Sequence, residues 1–193
     1  MHKGDLEHYS IRDYVRIVLS ELEHATPKPV LVGYGLGAWL ALRAAEECEL
    51  PGVVLIGCPS LGGTLGKALG VLARHPLWVA GNLSSGFESP WVGAEAIAES
   101  LFGGPPPSGK ESRCALRELL LKPIAFPEKV TAPSLVVRCE SDALVTAQSS
   151  KQLAARLEAA SSASIPGAAH DVLDSRWTGN LVEVIEKWTS KLG

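Results

Sequence analysis

The chain has 193 residues, 46% of them apolar and 20% charged, with a net charge of −3. These are the proportions of one soluble globular domain, and they exclude a disordered or collagen-like chain. No apolar run reaches the roughly 18 residues of a membrane span, and residues 1–5 do not read as a signal peptide. No Lys/Arg cluster offers the footprint of nucleic acid or of an anionic membrane, so a cytoplasmic protein with no nucleic-acid partner is expected.

Cys48, Cys58, Cys114 and Cys139 show no CxxC spacing, which argues against a zinc framework or a dense disulfide scaffold. They read as reduced cysteines packed as small apolar side chains.

In chain order, Ser10 and Asp13 form an S-x-x-D capping pair ahead of Ile11, Tyr14, Val15, Val18, Leu19 and Leu22 at helical spacing. Pro27 and Pro29 stop that helix and launch Val30-Leu31-Val32, a short buried strand. The turn Gly33-Tyr34-Gly35-Leu36-Gly37 leads into a helix carrying Trp39, Leu40, Leu42 and Ala45, and Val53-Val54-Leu55-Ile56 is the next strand. Strand, turn, helix and strand make the βαβ unit of a parallel sheet.

From residue 60 to 127 the pattern becomes helical, near 65–74, 94–101 and 111–121, broken by loops such as Gly103-Gly104-Pro105-Pro106-Pro107. This reads as a helical insertion within one domain that spans residues 1–193. The βα pattern then resumes with a strand at Leu135-Val136-Val137, a helix over 147–159, a short strand Ala163-Ser164-Ile165 and an amphipathic helix over 181–192.

Three strand ends carry polar groups suited to chemistry. The first strand runs into GYGLG, in the place of a G-x-S-x-G nucleophile elbow. The third is followed by Asp142, within ESDALV, and the fourth by His170, within PGAAHD. Open α/β sheets gather their functional groups at these carboxyl ends. Nucleophile position, acid and histidine, in that order, is the hydrolase order.

With these residues the chain resembles the α/β-hydrolase superfamily, particularly small serine esterases and lysophospholipase-like members with a helical lid. The matching pieces are PVLVGYGLGAWLALRAAE, VVLIGCPS, PSLVVRCESDALV and IPGAAHDVL. The resemblance implies a parallel sheet of about four strands in chain order, flanked by helices, forming the C-terminal portion of that fold. It implies Asp142 as the triad acid, His170 as the general base, Gly35 at the nucleophile position and the Leu36 N–H in the oxyanion hole. It also implies that residues 60–127 form a lid over a pocket for a small apolar or ester ligand, and that no cofactor is needed.

Two departures follow from the comparison. Gly35 supplies no oxygen or sulfur where covalent catalysis needs one, while glycine suits the backbone of a strained elbow. The family also places strands before the helix that begins near Ser10, together with a loop carrying the second oxyanion donor. Their absence from this chain would leave Val30-Leu31-Val32 as an edge, open to self-association or to a partner strand. Two function classes therefore stand. One is a hydrolase-fold protein without esterase activity that binds a ligand or a partner. The other is an enzyme, either an ester or lipid hydrolase whose serine has been replaced by design or one using His170 and Asp142 as a general base.

Three further groups have both a plain and a functional reading. Cys58 and Ser60 follow the second strand and could hold a displaced nucleophile, but IGCPS offers no electropositive setting. Asp171 and Asp174 beside His170 make a poor metal-ligand set, so no metal is expected. Leu77, Trp78, Phe87 and Trp91 could line a ligand pocket or simply bury the face of lid helices. The glycine turn is G-x-G-x-G and not the dinucleotide fingerprint G-x-G-x-x-G.

Overall fold

A computed structural model of the chain describes residues 8–62, 70, 73, 112, 114, 115, 118, 125–173 and 176–192. Ser10 starts the first helix, α1 (Ile11–His24), as its sequence spacing predicts. Its Oγ accepts from the Asp13 N–H at 3.2 Å, and Asp13 Oδ2 accepts from the Ser10 N–H at 2.9 Å. This capping box satisfies backbone donors that have no partner inside the helix. Ile11, Val15 and Leu22 form the buried face of α1.

The other described elements are, in chain order, β1 (Leu31–Tyr34), α2 (Leu36–Ala45), β2 (Val53–Ile56), a short 3-10 turn (Pro127–Lys129), β3 (Ser134–Cys139), α3 (Ala147–Arg156), β4 (Ala160–Ile165) and α4 (Thr178–Thr189). All strand pairs are parallel and the order is β1-β2-β3-β4, as expected. Leu31 lies opposite Val53, Val53 opposite Ser134, and Ser134 opposite Ala160. Strands in this order leave all four carboxyl ends on one edge of the sheet.

Three strands differ from the sequence reading, and β3 extends one residue before Leu135 and two beyond Val137. β1 is shifted toward the elbow and takes in Gly33 and Tyr34, and it is not the buried strand expected, because Val32 is 50% exposed and only Gly33 is buried. β4 starts three residues earlier, at Ala160, where Ala160, Ser161 and Ser162 are exposed and carry no apolar signal. Backbone pairing with Ser134–Cys139 defines that stretch, not side-chain burial.

Each face of the sheet buries its own apolar cluster. Leu55 and Val136 pack with Val15 of α1, Trp39 and Leu42 of α2 and Leu153 of α3. Val54, Ile56, Leu135, Val137 and Ile165 face the other way and meet Leu181 and Trp188 of α4. Burial on both faces explains why β2 reads as a continuous apolar run. The helices expected within 65–121, including Leu77, Trp78, Phe87 and Trp91, lie outside the described residues except at isolated positions.

Candidate active site

The elbow begins with a close approach of strand to helix. A Cβ on Gly33 would lie 2.3 Å from the Gly37 oxygen and 2.6 Å from the Ala38 Cα, so position 33 has no room for a side chain. Gly35 follows as the N-cap of α2, at φ 55° and ψ −121°. That backbone geometry strains any residue with a Cβ and favours glycine. A Cβ at Gly37 would meet nothing within 4 Å, so Gly33 and Gly35 are the positions that require glycine. Leu36 is the first residue of α2, which puts its N–H outside the helical ladder.

Asp142 sits in the turn after β3. Its Oδ1 accepts from the N–H groups of Leu144 (2.7 Å) and Val145 (2.8 Å), an aspartate turn that fixes the carboxylate. Its Oδ2 lies 2.7 Å from His170 Nδ1. The Asp142 side chain is fully buried and that of His170 is 9% exposed. A buried carboxylate beside Nδ1 favours the tautomer with its proton on that nitrogen and the lone pair on Nε2.

His170 arrives on the loop after β4. The Ser141 N–H donates to the Ala168 carbonyl at 2.8 Å, tying this loop to the turn that carries Asp142. Gly167 bends the loop at φ 69°, where a Cβ would lie 3.1 Å from the ring of Trp177. The imidazole ends up against the elbow: a Cβ on Gly35 would sit 3.5 Å from His170 Nε2, an ordinary contact. Asp142, His170 and Gly35, each singled out in the sequence at a different strand end, therefore meet in one place.

Two neighbours of this group were not singled out in the sequence. Gly57 closes β2 at φ 53°, and a Cβ there would be 3.3 Å from His170 Cε1 and 3.6 Å from Asp142 Oδ2. The only sequence signal is a glycine at a strand end. Tyr34 donates its hydroxyl to the His170 carbonyl, and its ring lies 5.1 Å from the imidazole. Burial, and then the nearby Asp142 carboxylate, push its hydroxyl pKa up, so it remains a donor.

The other candidates differ in setting. Cys58 is 4% exposed, and burial pushes its thiol pKa up, the opposite of what a nucleophile needs. Ser60 is half-buried. Asp171 follows His170, but Asp174 lies outside the described residues. Among the described residues, no group of three or more His, Cys, Asp or Glu could hold a metal ion. No helix among them is long and apolar enough to cross a membrane.

Comparisons with known proteins agree with this architecture. The chain resembles the solved structure of a thermophilic esterase at 20% identity and a TM-score of 0.64, covering 97% of this chain and 75% of that one. A monoacylglycerol lipase of Paleococcus ferrophilus matches at 18% identity and 0.61, over 96% and 77% of the two chains. A proline iminopeptidase of Mycobacterium smegmatis matches at 14% and 0.63, over 98% and 74%. Identities this low establish a shared fold and leave the reaction open. No similar protein was found among the curated ones. The sequence profile described as "Alpha/beta hydrolase family" matches residues 2–184. With that match across most of its length, the chain belongs to the alpha/beta hydrolase family.

Proposed function

We propose that this alpha/beta hydrolase-fold protein forms no acyl-enzyme and acts through its pocket, as a ligand-binding or interaction protein for small apolar or ester molecules. The observation that carries this reading is the elbow. Gly35 approaches His170 Nε2 as a nucleophile-bearing residue would, yet it has no oxygen or sulfur to give. The ligand class follows the esterase and lipase among the structural relatives. The reading calls for no organic cofactor. A fluorophosphonate probe followed by intact-mass analysis tests it, and the expected result is an unmodified chain. Stoichiometric labelling of any serine or cysteine would overturn it.

The buried His170–Asp142 pair favours a second reading, general-base catalysis without a covalent intermediate. Here a water oxygen attacks the ester carbonyl carbon while His170 Nε2 takes the water proton. The Leu36 N–H then steadies the oxyanion, and the proton passes to the departing alcohol oxygen, leaving acid and alcohol. One such donor is worth roughly 10²–10³ in rate. Slow p-nitrophenyl acetate turnover that disappears in His170→Ala, with no acylated protein by mass, would support it. Equal rates in both proteins would exclude it.

A further inference from the structure

The sheet order poses a geometric problem that the sequence does not reveal. β1 and β4 are the outer strands of the four described, three spacings of about 4.8 Å apart, or about 14 Å. His170 follows β4, yet its imidazole lies against Gly35 at the end of β1. The loop is tied to the turn after β3, and the imidazole reaches past Gly57 at the end of β2 to the elbow. Asp142 holds the ring through Nδ1 and comes from β3, short of the elbow. The Ser141–Ala168 bond ties the loop backbone to the turn after β3, and a contact from β1 would tie it on the elbow side.

Tyr34 has the right position and chemistry. It is the last residue of β1, directly before Gly35. Its hydroxyl donates to the backbone carbonyl of His170, 136 residues away in sequence. Its ring lies beside the imidazole, with centroids 5.1 Å apart and planes inclined by 34°. One side chain thus touches the histidine twice, at the main chain and at the ring. The two contacts limit both the approach of the loop and the tilt of the imidazole toward Gly35.

We propose that Tyr34 is the positioning residue that locks the His170 loop onto the elbow. Asp142 sets the tautomer and rotation of the imidazole, and Tyr34 sets the backbone from which it projects. This assignment rests on the reading of His170 and Asp142 as a functional pair, and it assigns Tyr34 no contact with a ligand.

NMR on the intact, isotope-labelled chain tests it. In the unsubstituted protein, the Tyr34 hydroxyl proton should exchange slowly with water and show a nuclear Overhauser contact to His170. A rapidly exchanging hydroxyl would overturn the proposal whether or not any variant folds. In Tyr34→Phe, which keeps the ring, the low-field His170 Nδ1 proton should exchange roughly 3- to 10-fold faster, the range for one ordinary hydrogen bond lost. An unchanged rate in folded Tyr34→Phe would overturn the proposal even if the variant were less stable, because the bond would then be merely structural. The dyad has its own readout. With no low-field Nδ1 proton in the unsubstituted protein, the His170–Asp142 pairing fails, whatever the Tyr34 hydroxyl shows.

Discussion

Gly57 lies beneath the imidazole of His170, so close that a Cβ at position 57 would sit 3.3 Å from Cε1 and 3.4 Å from Nδ1. Its φ of 53° adds backbone strain for any other residue. Gly57→Ala should therefore lower stability by about 1–3 kcal/mol and push the ring off Asp142. A urea titration together with the His170 Nδ1 proton resonance checks this. A stable variant with that resonance unchanged would mean that β2 relaxes without disturbing the pair.

Placing an oxygen at position 35 tests the elbow from the opposite side. At Gly35 the added Cβ has an ordinary 3.5 Å contact with Nε2, so Gly35→Ser is limited by backbone strain at φ 55° and not by lack of room. The variant should lose about 1–3 kcal/mol of stability and gain weak turnover of p-nitrophenyl acetate. That gain should vanish in the Gly35→Ser, His170→Ala double variant. A folded single variant as slow as the unsubstituted chain would show that the histidine does not serve position 35.

The buried thiols predict both reactivity and pH dependence. Burial, with the Asp142 and Asp171 carboxylates nearby, pushes Cys139 from 9.0 up to about 12, and burial alone raises Cys58. Neither should react with iodoacetamide at pH 8 in the folded protein, whereas all four cysteines of the chain should react in denaturant. For the stability effect, the unfolded Cys139 thiol ionises near 9.0 while the folded one keeps its proton to about 12. The folded state therefore binds more protons in that window, and stability falls as pH rises through it. Urea midpoints should be lower at pH 10.5 than at pH 8. Replacing Cys139 by serine would reduce that slope.

Self-association can be tested at β1. Among the described residues it is the outer strand beside β2, and its Val32 is 50% exposed. An apolar strand edge of this kind pairs readily with another strand. Light scattering should find a mass that rises with concentration, and Val32→Lys should suppress the rise. A constant monomer mass for the unsubstituted chain would remove the edge as an association surface.

Local chemistry made much of the architecture legible. The Ser10–Asp13 box needs only residues three apart, and the apolar run Val53–Ile56 reports burial on both faces of its strand. The meeting of Gly35, Asp142 and His170 was legible for a related reason. Gly35, Asp142 and His170 each follow a strand, and parallel strands in chain order bring their carboxyl ends to one edge. What stayed hidden had no local signature. Ala160, Ser161 and Ser162 join β4 through main-chain bonds, to which small exposed side chains give no clue.

By itself the sequence determined the βα order, the two-sided sheet, and the placing of Gly35, Asp142 and His170 at the carboxyl ends of three strands. These depend on residue type and near neighbours, through capping, periodicity and the missing side chain of Gly35. Only the tertiary structure decided that Gly57 must leave room for the imidazole and that Tyr34 reaches the His170 carbonyl across the sheet. Both depend on where a loop from the far strand comes to rest. That position is set by packing between residues more than a hundred apart, and no window of sequence contains both partners.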